Sequence, residues 1–400
     1  MKKDENQLLI RSCLTELCTA IGARPTGSGE NRLAQQYIDR QFRQMGLQVE
    51  NQPFTCIHWM AGSAALNVDN EKIPAKASPY SLPVHFSGRF ERAETISELQ
   101  GRDLTDKMLV LAGALAREPV MPKNFRFWNP EHHQQIIRTL ESLSPKAIIT
   151  FTDEVATPVF EDGDFDIPSV VVPVNYQSRF HQNSNHTIEL SFEARRIPST
   201  GANVIARLNP TAKKKVIVCA HFDTKPGTPG ALDNASGITT LLLTARLLSE
   251  ADLNVCAEFV AFNGEDYFST PGQVAYLEKY TDTFGRVMLA INCDGVGYKH
   301  GKTGISPMSC SREIEILVEK HIKNYRSLTL ADPWYQGDHM LFTGAGIPTL
   351  AITSQKIFDL LDTVIHSEKD TIDLIDHSRI AETALFINSM IRQIEKVLKR

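Results

Sequence analysis

Val216-Ile217-Val218-Cys219-Ala220-His221-Phe222-Asp223 opens as an unbroken apolar run and ends on an imidazole and a carboxylate. A short, β-branched run of this kind reads as a strand buried on both faces. The pattern then repeats. A helical segment over Gly237–Leu248 precedes a second apolar strand, Ala257–Phe262. A further helix over Gln273–Tyr280 leads to a third strand, Val287–Asn292. Strands alternating with helices predict an α/β fold whose central sheet is mostly parallel, with helices on both faces. Downstream the spacing predicts a helix near Arg312–Lys323, a strand over Pro348–Thr353 and a helix from His377 to Leu398. The apolar positions Ile380, Ala384, Ile387, Ile391 and Ile394 of that last helix form one stripe.

Upstream of Asn203 the texture changes. Met108–Ala112, Ala147–Phe151 and Ser169–Val172 are short apolar strands, with one amphipathic helix near His133–Leu143. Pro119, Pro122 and Pro130 punctuate one long loop among them. This stretch predicts a small β-rich domain over 73–195, inserted into a discontinuous domain of 1–72 and 196–400. Before it, Gln7–Met45 reads as two helices joined by the Gly22–Gly29 loop, with Gly46 closing the second.

The 400 residues can bury a sizeable core without disulfides. A hydrophobic fraction of 42% and a charged fraction of 22% exclude disorder and fibrous repeats. Against 42 lysines and arginines stand 47 aspartates and glutamates, a net charge of −5. That balance argues against a nucleic-acid partner and against adhesion to anionic membranes. The first residues lack a secretory apolar stretch, and no window approaches a membrane span. The seven cysteines show no paired short spacing, so buried reduced thiols and a cytoplasmic location are expected.

The chemistry gathers where strands end. His221 and Asp223 follow the first strand, Glu265 and Asp266 the second, and Asp294 the third. In open parallel sheets, sites form outside the carboxyl ends of strands. Each residue has a bland reading: a capped turn for Asp233 and Asp294, a solvated loop for Glu265-Asp266, a loop histidine for His366. Together, charged groups gathered past buried strands need a reason to be there. Zinc takes imidazole nitrogen and carboxylate oxygen, and two adjacent metals need a bridging carboxylate. Asp233, isolated beside a helix start, is the candidate bridge. His221 with Asp294, and Asp266 with His366, complete two similar ligand sets. Asp223 is read as orienting the His221 ring, and Glu265 as the general base facing the attacking water.

The succession His221-x-Asp223, Gly230-x-x-Asp233-Asn234-x-Ser236-Gly237, Glu265-Asp266, Asn292-x-Asp294, Gly337-Asp338-His339 and His366-Ser367-x-x-Asp370 resembles the co-catalytic di-zinc aminopeptidases. Ile21-Gly22-x-Arg24-Pro25-x-Gly27-Ser28-x-Glu30 is similar to that family's opening segment. The 73–195 region resembles a protease-associated domain through Lys146-Ala147-Ile148-Ile149 and Phe165-Asp166-Ile167-Pro168-Ser169-Val170. The resemblance implies a zinc exopeptidase fold and two zinc ions. It places His221, Asp233 and Asp294 on one, Asp233, Asp266 and His366 on the other, with Glu265 as base. It further implies removal of N-terminal residues from peptides with a free amine, with substrate contacts near Trp334, Tyr335 and Asp338. Two departures stand out. Many members carry Glu where Asp266 stands, and Ser where Gly337 stands. The competing expectations are a glutamate-carboxypeptidase-like or glutaminyl-cyclase-like member of the same fold, and a non-catalytic binding homologue. The sequence does not fix an oligomeric state.

Overall fold

A computed structural model describes residues 2–152, 157–181 and 187–397. The chain divides into two compact units, one of residues 1–56 and 200–400, the other of residues 57–199.

The first unit is built on an eight-stranded sheet. Its central four strands run in the order Cys256–Phe262, Lys215–His221, Val287–Cys293, Thr349–Ser354, all parallel. The sheet is mostly parallel, as the sequence implies, with an antiparallel pair on either side of these four strands. Ala194–Leu208 pairs antiparallel with Cys256–Phe262 on one side, and Thr303–Met308 pairs antiparallel with Thr349–Ser354 on the other. The second of these was not legible because Gly304 and Pro307 interrupt any apolar alternation. In the central strands every residue of Lys215–His221 and Cys256–Phe262 is buried, as a sheet covered on both faces requires.

One face is covered by the helix Ser236–Leu248, whose Ile238, Leu241, Leu242 and Leu248 join a core with Ile387 and Ile391 of the C-terminal helix His377–Val397. Leu398, the expected end of that helix, lies outside the described residues. The helix Lys2–Thr15 adds Leu9, Ile10 and Leu14 to the same core. Thr239, Thr240 and Thr244 are also buried, and their hydroxyls donate to carbonyls one turn back at 2.7–2.9 Å. Three hydroxyls are thus satisfied inside an apolar layer. The helix Pro271–Tyr280 covers the other face, packing Tyr276 and Tyr280 against Ile217, Val260 and Phe262.

The second unit holds its own eight-stranded sheet. It begins earlier than residue 73 because Ala65–Val68 pairs with both Glu71–Ile73 and Ile188–Phe192, which draws these strands into this sheet. Nor is it simply β-rich. Val84–Ala93, Lys107–Leu111, Ala147–Thr152 and Ser169–Pro173 are consecutive parallel neighbours, with the helix Glu131–Leu143 packed on one face.

Cys13, Cys18, Cys219, Cys256 and Cys293 are buried and form no disulfide. No described helix is long and apolar enough to cross a membrane.

A closed ionic network ties the first unit's strands. Glu258, 2% exposed, accepts from Lys215 Nζ at 2.9 Å, Arg207 Nε at 2.6 Å and Tyr276 Oη at 2.8 Å. Burial alone would raise its pKa, but the Lys215 and Arg207 charges outweigh it and hold the carboxyl below its ordinary value. Glu258→Gln would strand the Lys215 ammonium inside the protein, at a cost of about 3–5 kcal/mol. A lowered urea midpoint is the expected result. Because the carboxyl is depressed in the folded state, its contribution is present above pH 4.5 and fades as the pH falls below that value. The gap between wild type and variant should therefore close under acid.

Candidate metal centre

The register of the central strands brings the chemistry to one edge. Cys219 stands opposite Asn292. His221 and Asp294, each two residues further on, therefore emerge side by side. Phe262 pairs with His221, which sets Asn263, Gly264, Glu265 and Asp266 on the next loop at the same edge.

Two side-chain groupings result. His221, Asp233 and Asp294 form one, and Asp233, Asp266 and His366 the other. Asp233 belongs to both. Its Oδ1 lies 3.0 Å from His221 Nε2 and its Oδ2 lies 3.0 Å from His366 Nε2. Asp294 Oδ1 is 3.6 Å from His221 Nε2, and Asp266 Oδ1 is 3.1 Å from His366 Nε2. Neither ring nitrogen of the buried His221 makes a hydrogen bond, and Asp266 Oδ2 is likewise buried and unpartnered. Nitrogen and carboxylate oxygens converging without protons to share fit divalent cations of the zinc type.

Electrostatics point the same way. Burial raises the pKa of Asp233, yet the neighbouring His221 and His366 rings prevail and hold it well below the ordinary carboxylate range. Burial pushes Glu265 well above the ordinary carboxylate range, and the Asp266 and Asp294 charges add to the effect. Asp294 is raised for the same reasons, burial foremost, with Asp233 and Asp266 behind it. Two histidines do not neutralise this many carboxylates. Bound cations would.

The surroundings hold Asp233 firmly. Asp370 accepts from the Leu232 and Asp233 backbone N–H groups at 2.7 and 3.0 Å. Asn234 donates to the Cys293 carbonyl and accepts from Gly237 N–H, locking the loop to the strand that ends at Asp294. At Gly230, φ is +61°, and a Cβ would stand 2.3 Å from Thr224 Cγ2 and 2.4 Å from the Asp233 carbonyl. Only glycine fits there.

Asp223 faces His221 Nδ1 at 3.6 Å, beyond hydrogen-bond reach. Its direct partners are the Glu265 and Asp266 backbone N–H groups at 3.2 and 3.0 Å and the Thr26 hydroxyl at 3.0 Å. It thus shapes the loop that carries Glu265 and Asp266. Sequence reasoning missed how much the N-terminal segment contributes. Arg24 is wholly buried and donates to the carbonyls of Phe222, Pro229 and Gly230, clamping the loop after His221. Asn31 and Asn263 exchange hydrogen bonds at 2.9 Å. An arginine followed by proline in a glycine-rich loop was the available signal.

The cleft is floored by Asp233, Glu265, Asp294 and His366 and walled by Trp334, Ile357, Phe358, Leu361 and Ile365. Tyr335 is 70% exposed and does not line it. Asp338 is buried behind it, accepting from Gln273 Nε2 at 2.8 Å, and burial raises its pKa to about 7. His339, lowered to about 4 by burial, contacts the Trp334 carbonyl at 2.8 Å and supports the wall from behind.

Glu118, His132 and His133 form a third grouping, in the other unit. Its geometry suits a metal poorly. His133 Nδ1 accepts the Met121 N–H at 3.1 Å, so the neutral ring carries its proton on Nε2 and offers no lone pair toward Glu118.

Residues 203–391 match the profile of peptidase family M28. Aminopeptidase YwaD of Bacillus subtilis (strain 168) is 21% identical over 411 residues, covering 97% of this chain and 85% of that protein. Probable leucine aminopeptidase 1 of Trichophyton verrucosum is 27% identical over 218 residues, covering 48% of this chain and 58% of that protein. Among solved structures, that of BSAP, a zinc aminopeptidase from Bacillus subtilis, superposes with a TM-score of 0.75 at 19% identity, over 97% of this chain and 94% of that one. The fold is therefore that of the zinc aminopeptidases.

Asp370→Ala should release the backbone on which Asp233 is set. Since both groupings use Asp233, zinc affinity should fall at every site, by about 10–100-fold for loss of such a supporting partner. Competition with a chromophoric chelator measures it.

Proposed function

We propose that this chain, which carries a peptidase family M28 domain over residues 203–391, is an aminopeptidase using two zinc ions that share Asp233. Metal-dependent exopeptidase chemistry follows from the family and from the aminopeptidases it is similar to. The observation that carries the two-metal reading is the division of one carboxylate: each oxygen of Asp233 faces a different histidine at 3.0 Å.

In this reading His221 and Asp294 complete one set of ligands, and Asp266 and His366 the other. Zinc held by these ligands would supply Lewis-acid polarisation of the scissile carbonyl and a lowered pKa for water. The chain's own residues do the rest. Glu265, held at the cleft floor, takes a proton from the attacking water and returns it to the departing amine. Asp223 fixes the loop that aims Glu265 through the two backbone N–H groups it accepts. Trp334, Ile357 and Leu361 exclude water and seat an apolar side chain. The carboxylates of the floor attract the substrate's ammonium group.

That preference separates an aminopeptidase from a carboxypeptidase. A free C-terminus calls for arginine, and no arginine lines the cleft among the described residues. Arg246 is engaged with Glu5, and Arg286 with the Ala212 and Lys213 carbonyls. The second unit is read as a protease-associated-like module, on the 146–149 segment leading into Ala147–Thr152 and the 165–170 segment entering Ser169–Pro173.

Glu265→Gln should retain zinc and fold while losing about 10²–10⁴ in turnover. Elemental analysis beside kcat measurement checks this; loss of zinc with rate preserved per bound ion would make Glu265 a ligand instead. Peptides with a free N-terminus should lose residues from that end, and N-acetylated counterparts should be spared. Mass spectrometry of the two products decides the polarity. Chelation should abolish turnover, and full activity of metal-free protein would refute the mechanism.

A further inference from the structure

The two ligand sets do not have the same electrostatic surroundings. Lys225 Nζ lies 4.0 Å from Asp266 Oδ1 and donates to the Asp266 main-chain carbonyl at 3.0 Å. The same Asp266 Oδ1 faces His366. Among the described residues, no lysine or arginine comes within 4 Å of the Asp294 carboxylate in the other set. Lys225 is also fixed in place. Thr224, before it, accepts from Arg24 N–H at 3.0 Å, and Thr228, three residues on, donates to the Ser367 carbonyl at 2.6 Å. The Lys225 side chain is only 19% exposed and that of Asp266 3%, so solvent screens the pair weakly.

We infer that Lys225 makes the two sites unequal, so that the Asp233–Asp266–His366 set binds a divalent cation more weakly than the His221–Asp233–Asp294 set. The inference rests on the two-metal reading above. A cation entering between Asp266 and His366 meets a fixed positive charge already drawing on the Asp266 carboxylate. A cation entering between His221 and Asp294 meets an Asp294 carboxylate that, among the described residues, has no lysine or arginine within 4 Å. Lys225 is a positioning residue: it acts through Asp266 and sets how readily the second metal is held. The sites then fill in order, and one is emptied first when metal is scarce.

Zinc titration of the metal-free full chain by calorimetry, with chelator competition for the tighter step, tests this without reference to activity. The wild type should show two steps of different affinity. Asp266→Ala should delete the weaker one. Lys225→Gln keeps an amide donor for the Asp266 carbonyl but removes the charge, and relief of that repulsion should tighten the weaker step by about tenfold or more while leaving the tighter one in place. Lys225→Arg, which keeps the charge, should behave as wild type. Equal wild-type steps, loss of the tighter step in Asp266→Ala, or a weaker step unchanged or loosened in Lys225→Gln would each overturn the inference. Failure of the wild type to bind zinc at all would instead refute the metal reading on which it rests.

Discussion

One carboxylate divided between two imidazoles sets the terms for the whole site. Asp233 faces His221 with one oxygen and His366 with the other, an arrangement that depends on a fixed backbone. Much of the surrounding structure serves that end. Asp370 grips the peptide before it, Asn234 ties the peptide after it to a neighbouring strand, and Gly230 lets the loop fold close beneath it. Arg24 then holds that loop by donating to the Pro229 and Gly230 carbonyls.

The first unit treats buried charge in two opposite ways. On strand Cys256–Phe262, Glu258 is matched by Lys215, Arg207 and Tyr276, so its charge is answered entirely by protein. Past the end of the same strand, Glu265 and Asp266 join Asp233 and Asp294 with too few cations among them. The first arrangement is structural and closed. The second carries an excess of negative charge that a bound cation would offset.

Much of this was legible because buried parallel strands announce themselves as apolar runs, and the residues that break each run fall at one edge. His221, Glu265, Asp266 and Asp294 were placed by that rule alone. Asp233 and His366 lie on loops, where order along the chain placed them but geometry did not. Tyr335 and Asp338 were expected beside substrate; the first is exposed to solvent and the second is buried against Gln273. Strands such as Thr303–Met308 escaped notice because pairing partners, not local pattern, hold them. The boundary near 73 was misplaced for the same reason: Ala65–Val68 joins whichever sheet offers it a neighbour.

The chain leaves the first unit after Cys56 and returns at Thr200, and strands Gln48–Ala61 and Ala194–Leu208 are neighbours in the first sheet. Thr26, Arg24 and Asn31 must therefore find Asp223, Phe222 and Asn263 across a long excursion of chain. For an unfolded excursion, bringing such ends together carries a loop-closure entropy that grows with its length. A second unit that folds on its own core shortens the effective loop before the first sheet closes. The insertion thus sets the length of the loop that closing the first sheet must order: ordered on its own core, it would leave a shorter effective loop for the distant N-terminal clamp to close.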